Sequence, residues 1–281
     1  VQTCALPIFP LRQAIAQDYT RRGCPTRPEQ ILVTGGAQHG FSLLLRQLTG
    51  PGDRVVIDHP TYHNAVAALA RNNIMAVPVG LPGDGGWDLD AIHAAIRQTA
   101  PRFCYIIADY HNPTGRVMDA DTRRKLVKIA TATRTLLVAD ETMAAIAFGD
   151  TPPPVASFDD NAMVASLGSA SKRFWGGLRI GWLRADEQLV AGLARQRATV
   201  DLATPVMDQL AVAWLMRQGE DERERLADLA ARRDRMMELL HHHLPDWRIE
   251  RPAGGLSLWA ELPAPRASAL AAMAQIGRAH V

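Results

Sequence analysis

A chain of 281 residues with 31 Lys and Arg against 29 Asp and Glu has a net charge of only +2, so it offers no basic surface for nucleic acid. Apolar residues make up 47% and charged residues 21%, the proportions of a globular protein with one large domain, or one and part of another. No apolar run reaches the roughly 20 residues of a membrane span, and Cys4, Cys24 and Cys104 lack metal-ligand spacing, so a reduced, cytoplasmic protein is expected.

Both ends read as foreign. "TCALPI" at 3–8 and "IGRAHV" at 276–281 can be encoded by strings that are reverse complements apart from a one-base offset, and that resemble sequencing-adapter DNA. Residues 1–8 and 276–281 are therefore set aside as non-native tails, and 9–275 as an internal part of a longer protein.

Within 9–275, "LRQAIAQDYTRRG" has helical spacing and stops at Gly23. "QILVTGG" reads as a buried strand running into glycines, and "AQHGFSLLLRQLTG" as the helix that follows. Next come strand "PGDRVVIDHP", helix "TYHNAVAALARNN", strand "IMAVPVG", and strand "RFCYIIADY" with its turn "HNPTG". Helix "DADTRRKLVKIATAT" precedes strands "RTLLVADE" and "NAMVASLGS", with "TPPP" at 151–154 as a surface loop. This alternation predicts an α/β fold, a mainly parallel sheet with helices on both faces. From Glu187 to His243 the pattern is helical, and "WRIERPAGGLSLWAELPAP" resumes as strand. The expected organisation is a large domain with interdomain helices over 9–243 and the beginning of a truncated small α/β domain over 244–275.

In such sheets ligands gather beyond the carboxyl ends of the strands, and several polar residues fall there. Gly36, Ala37 and Gln38 join a strand to a helix, where open amides could hold a phosphate or could simply make a tight turn. Asn112 fits a turn, Asp140 a helix cap, and Arg179 a surface ion pair, if each is read alone. Lys172 is different. The chain has three lysines, and Lys125 and Lys128 lie on an amphipathic helix, whereas Lys172 sits in "SLGSASKRFW" followed by Gly-Gly-x-Arg. Where only charge is needed this chain mostly uses arginine; an amine that must lose its proton and attack a carbonyl cannot be arginine. The run His241–His243 closes a helix without further ligands in its pattern and reads as surface.

Taken together, the order phosphate turn, Asn-Pro-x-Gly, strand-terminal Asp, then Ser-x-Ser-Lys with Arg seven positions later resembles the fold-type I pyridoxal 5'-phosphate (PLP) family, the class I/II aminotransferases. The likeness covers nearly all of 9–275. It implies that Lys172 holds the cofactor as a Schiff base and moves the substrate proton, that Asp140 pairs with the pyridine nitrogen, and that Asn112 donates to the ring 3-oxygen. Tyr62 matches the ring-stacking aromatic, while Ser169, Ser171, Arg179 and the Gly36, Ala37 and Gln38 amides match the phosphate site. His63 and His111 neighbour these residues and receive no catalytic role.

One departure is plain. The family places a tyrosine two or three residues after the ring-nitrogen aspartate, where this chain has Thr142 and Met143. The resemblance implies amino-acid and 2-oxo-acid substrates and a homodimer for the full-length parent. It also leaves rivals open. "LRQAIAQDYTRRG", "ILVTGGAQHG" and the Lys-to-Arg spacing resemble the effector-sensing domain of MocR-type (GntR family) regulators, in which a DNA-binding module precedes this fold. Another PLP chemistry, lyase or decarboxylase, is the third reading.

Overall fold

The computed structural model describes residues 8–83, 85–150, 152–218 and 222–278, with the backbone alone for 274–278. Residues 1–7 and 279–281 of the two tails, and Thr151 of the proline loop, lie outside the described residues. In chain order the helices are α1 (Phe9–Arg21), α2 (Ala37–Leu48), α3 (His63–Arg71), α4 (Leu89–Thr99), α5 (Ala120–Thr133), α6 (Ala170–Arg173), α7 (Glu187–Arg197), α8 (Val206–Gln218), α9 (Arg223–His243) and α10 (Ala267–Arg278). The main sheet consists of β1 (Ile31–Thr34), β2 (Arg54–His59), β3 (Met75–Gly80), β4 (Phe103–Ile106), β5 (Leu136–Asp140), β6 (Val164–Ser169) and β7 (Gly181–Arg184).

The spatial order is β1-β7-β6-β5-β4-β2-β3, parallel from β6 through β3, with β7 antiparallel to both β6 and β1. Successive residues of a strand point to opposite faces, so the buried strands feed two cores. Val33, Val56, Cys104, Ile106, Leu137 and Ala139 pack against α1, α4, α5 and α8. Leu32, Val55, Ile57, Tyr105, Val138 and Leu167 pack against α2, α3 and α7. Each fully buried Leu, Ile, Val or Phe contributes about 1.5–3 kcal/mol, which is why these central strands read as near-continuous apolar runs. Aspartates cap three of the helices: Asp88, Asp119 and Asp186 accept from the amides of Ala91, Thr122 and Gln188.

Four elements lie outside the sequence expectations: α4, α6, β7 and α10. Helix α4 buries Ile92 and Ile96, which with Leu89 stand at helical spacing along one face. Strand β7 is short and arrives within the Gly-rich stretch after Lys172. The proline loop is held by two hydrogen bonds, the carbonyls of Pro152 and Pro153 accepting from Arg22 and Arg123. After α9, β8 (Arg248–Ile249) and β9 (Ala260–Glu261) pair antiparallel in a separate sheet, and Gly254 forms an isolated bridge with Ala147. Between them, Ala253 and Gly255 bond instead to the backbone of Phe148 and Ile146. Helix α10 continues through residue 278, into the segment set aside as a tail.

Candidate active site

At the carboxyl ends of the parallel strands lies a cleft of about 180 Å³. All ten residues singled out from the sequence line it: Gly36, Ala37, Gln38, Tyr62, Asn112, Asp140, Ser169, Ser171, Lys172 and Arg179. They come from six separate connections, which only the parallel topology brings to one edge.

One end of the cleft is a turn of backbone amides beneath a guanidinium. Helix α2 starts at Gly36 without any side-chain cap, and no carbonyl among the described residues takes the amides of Gly36, Ala37 or Gln38. Gly36 has φ 100°, and a Cβ there would come within 2.9 Å of Arg179 Nη2, so the guanidinium lies directly over the turn. A Cβ on Gly181 of β7 would come within 2.5 Å of Ala37 N, which explains why the strand after Arg179 begins with glycine. The turn is braced from behind. Thr34 Oγ1 donates to the Gly36 carbonyl at 2.8 Å, and Gly35 N donates to His39 Nδ1 at 3.1 Å. Burial pushes His39 below its ordinary range, so the ring stays neutral and keeps that acceptor nitrogen.

Lys172 sits on the short helix α6, capped by Ser169 Oγ, which accepts from Ser171 N at 3.2 Å. Arg173 binds Asp18 of α1 at 3.0 Å and Glu222 at 2.7 Å, and Arg225 of α9 donates to the Lys172 carbonyl at 3.2 Å. The backbone of Lys172 is thus pinned to two long helices. Its amine has no ion-pair partner among the described residues, whereas Lys125 is paired with Asp121 at 2.7 Å. Ser171 Oγ is buried and has no hydrogen-bond partner.

The opposite end is a carboxylate. Asp140 closes β5 at 7% exposure; Tyr105 Oη donates to its Oδ2 at 2.7 Å and Thr142 N to its Oδ1 at 3.0 Å. The Asn112 loop is held by His111, whose backbone bonds Arg116 and Gly115 and whose ring meets Thr114 Oγ1 at 2.9 Å. His111 itself is fully buried with Nε2 3.6 Å from Asp58, and neither it nor the exposed His63 lines the cleft. Thr142 and Met143 do line it, as do Phe41, Tyr105, Ile107 and Leu167, which the sequence reading did not single out. Tyr105 was hidden because a tyrosine inside "FCYII" reads as core; only its placement one strand away from a strand-terminal aspartate gives it away.

A turn of open amides under a guanidinium, an unpaired lysine and a buried carboxylate thus surround one small cleft. The family model for aminotransferase class I and II matches residues 9–279, and the chain belongs to that family, which is PLP-dependent. Among similar proteins, the uncharacterized HTH-type transcriptional regulator YdcR of Escherichia coli is 31% identical over 260 residues, 91% of this chain and 55% of its own length. The 2-aminoadipate transaminase of Thermus thermophilus is 30% identical over 246 residues, 84% of this chain and 61% of its own length. Two solved structures superpose well. LysN, the alpha-aminoadipate aminotransferase of Thermus thermophilus complexed with N-(5'-phosphopyridoxyl)-L-leucine, has a TM-score of 0.84 at 28% identity, covering 92% of this chain and 67% of that one. The kynurenine aminotransferase of Pyrococcus horikoshii has a TM-score of 0.86 at 25% identity, covering 93% and 67%. The chain spans between 55% and 61% of the length of these two curated relatives.

Proposed function

We propose that this domain binds PLP in the cleft and transfers an amino group between an amino acid and a 2-oxo acid. The supporting observation is the matched polarity of the cleft. Three open amides, the partnerless Ser171 Oγ and the Arg179 guanidinium converge where a phosphate would sit, and a carboxylate waits at the far end. The residues present therefore fit the cofactor. When bound, PLP supplies a carbonyl for amines and an electron-withdrawing ring.

Each residue has a task its chemistry supports. Gly36, Ala37, Gln38, Ser169, Ser171 and Arg179 bind and orient the phosphate. Asp140 keeps a proton on the ring nitrogen by offering it a negative charge, and Asn112 donates its amide to the ring 3-oxygen. Tyr62 covers one face of the ring and excludes water there. Lys172 anchors the cofactor through its amine and, once released by a substrate amine, carries the α-proton.

Adding an amino acid to the PLP-loaded protein tests this. The expected result is loss of the visible band with release of one equivalent of 2-oxo acid, reversed by adding a 2-oxo acid. A visible band that persists through a panel of amino acids contradicts amino transfer.

A second reading has an observation of its own, the 31% identity to a transcriptional regulator. In a MocR-type parent the same cleft would sense an effector with little turnover, and the half-reaction above would be slow or absent while the cofactor still bound. In either case the parent is proposed to be a cytoplasmic homodimer. Among the described residues no helix is long and apolar enough to cross a membrane. The exposed stripe Val206, Met207, Leu210 and Trp214 on α8 supports a buried interface, which light scattering would detect as twice the chain mass.

A further inference from the structure

We propose that Tyr105 is a positioning residue for Asp140, fixing the orientation of the carboxylate that meets the ring nitrogen. Tyr105 lies on β4 opposite Val138 of β5, two residues before Asp140, so both side chains belong to the same face of the sheet. From there its hydroxyl reaches Oδ2 at 2.7 Å, the length of a charge-assisted bond. The Thr142 amide holds the other oxygen at 3.0 Å. A carboxylate with a donor on each oxygen cannot rotate without breaking one of them, and each oxygen keeps a lone pair for a further partner.

The tyrosine is itself held. It is 1% exposed, and its ring lies against Phe41 with centroids 4.9 Å apart and planes tilted by 54°. Burial, then the charge of Asp140, push its hydroxyl well above the ordinary tyrosine range, so it remains a donor at any working pH. The Asp140 orientation is thus set by a part of the fold that makes no contribution of its own to covalent chemistry.

This inference rests on the reading that Asp140 contacts the ring nitrogen, and a double-mutant cycle separates the two. PLP dissociation constants would be measured on the wild-type chain and on Tyr105→Phe, Asp140→Ala and the double variant, together with the pH midpoint of the visible band and the melting temperature of each apo form. Tyr105→Phe should weaken PLP about tenfold and shift the midpoint. In the Asp140→Ala background it should do neither, because the group it positions is gone. A Tyr105→Phe cost that is equal in both backgrounds, or absent in the wild type, overturns the positioning role and leaves the cofactor site standing. If Asp140→Ala leaves PLP binding unchanged, the reading of the cleft fails and the role of Tyr105 fails with it.

Discussion

At one end of the cleft the amides of Gly36, Ala37 and Gln38, the Ser171 hydroxyl and the Arg179 guanidinium have no protein acceptor among the described residues. At the other end both oxygens of Asp140 already hold donors, from Tyr105 and Thr142. If the first region holds the phosphate as proposed, its groups contribute mainly to affinity. The second is complete beforehand, so it sets geometry and charge for whatever meets it. A binding end and a tuning end should therefore respond differently to substitution, with Lys172 standing between them.

The largest effect is expected at Lys172. Lys172→Ala should abolish covalent attachment, yet leave PLP bound without a covalent link, since both ends remain intact; borohydride reduction followed by denaturing dialysis reads this directly.

Substitutions at the binding end should come next. Arg179→Ala removes a planar fork of charge-assisted donors and should weaken PLP by roughly ten- to a hundredfold, with inorganic phosphate competing less well than in the wild type. Gly36→Ala and Gly181→Ala should act in the same direction, the first through its φ of 100° and its closeness to Arg179, the second by pushing Ala37 out of the turn. Loss of affinity with unchanged phosphate competition would show that the turn is not where the phosphate binds.

At the tuning end the effects should be spectroscopic. Donors to the ring 3-oxygen favour its anion and lower the titration midpoint of the bound cofactor. With Thr142 and Met143 where the family has tyrosine, the protein should keep more of the yellow, protonated form at neutral pH. Thr142→Tyr or Met143→Tyr should lower the midpoint by on the order of one unit. Unchanged midpoints in both would mean that another donor fills the place, and a rise in Thr142→Ala would identify it as the threonine.

The smallest effect belongs to a site remote from both ends. Asp119→Ala removes the α5 cap and should cost about 1 kcal/mol of stability with no change in PLP affinity. The amide and hydroxyl of Thr122 hold the Asp119 carboxyl below its usual range. Its contribution is therefore present above the unfolded-state value and fades as pH falls through the folded one, so the two proteins should converge in acid.

Much of the cleft is legible in the sequence because its polar residues interrupt apolar strands at their ends: "VTGG", "ADYHNP", "VAD" and "LGSASK" each carry the break in the text. Tyr105 is not legible, since an alternate position in a buried strand looks the same whether its side chain packs or donates. The same holds for β7. Its packing against β6 requires Gly168, where a Cβ would overlap the Trp182 ring, a fit between strands that no local pattern records. The expected strand in "GGLSLWAEL" is shortened to Ala260–Glu261, since Ala253 and Gly255 ahead of it bond to the loop after β5.

The attachment point is the most direct test of the account. PLP would be added to the protein, reduced with borohydride, and the labelled peptide sequenced. One labelled peptide is expected, modified at Lys172. Label on Lys125 or Lys128 of helix α5, with Lys172 unmodified, would contradict it.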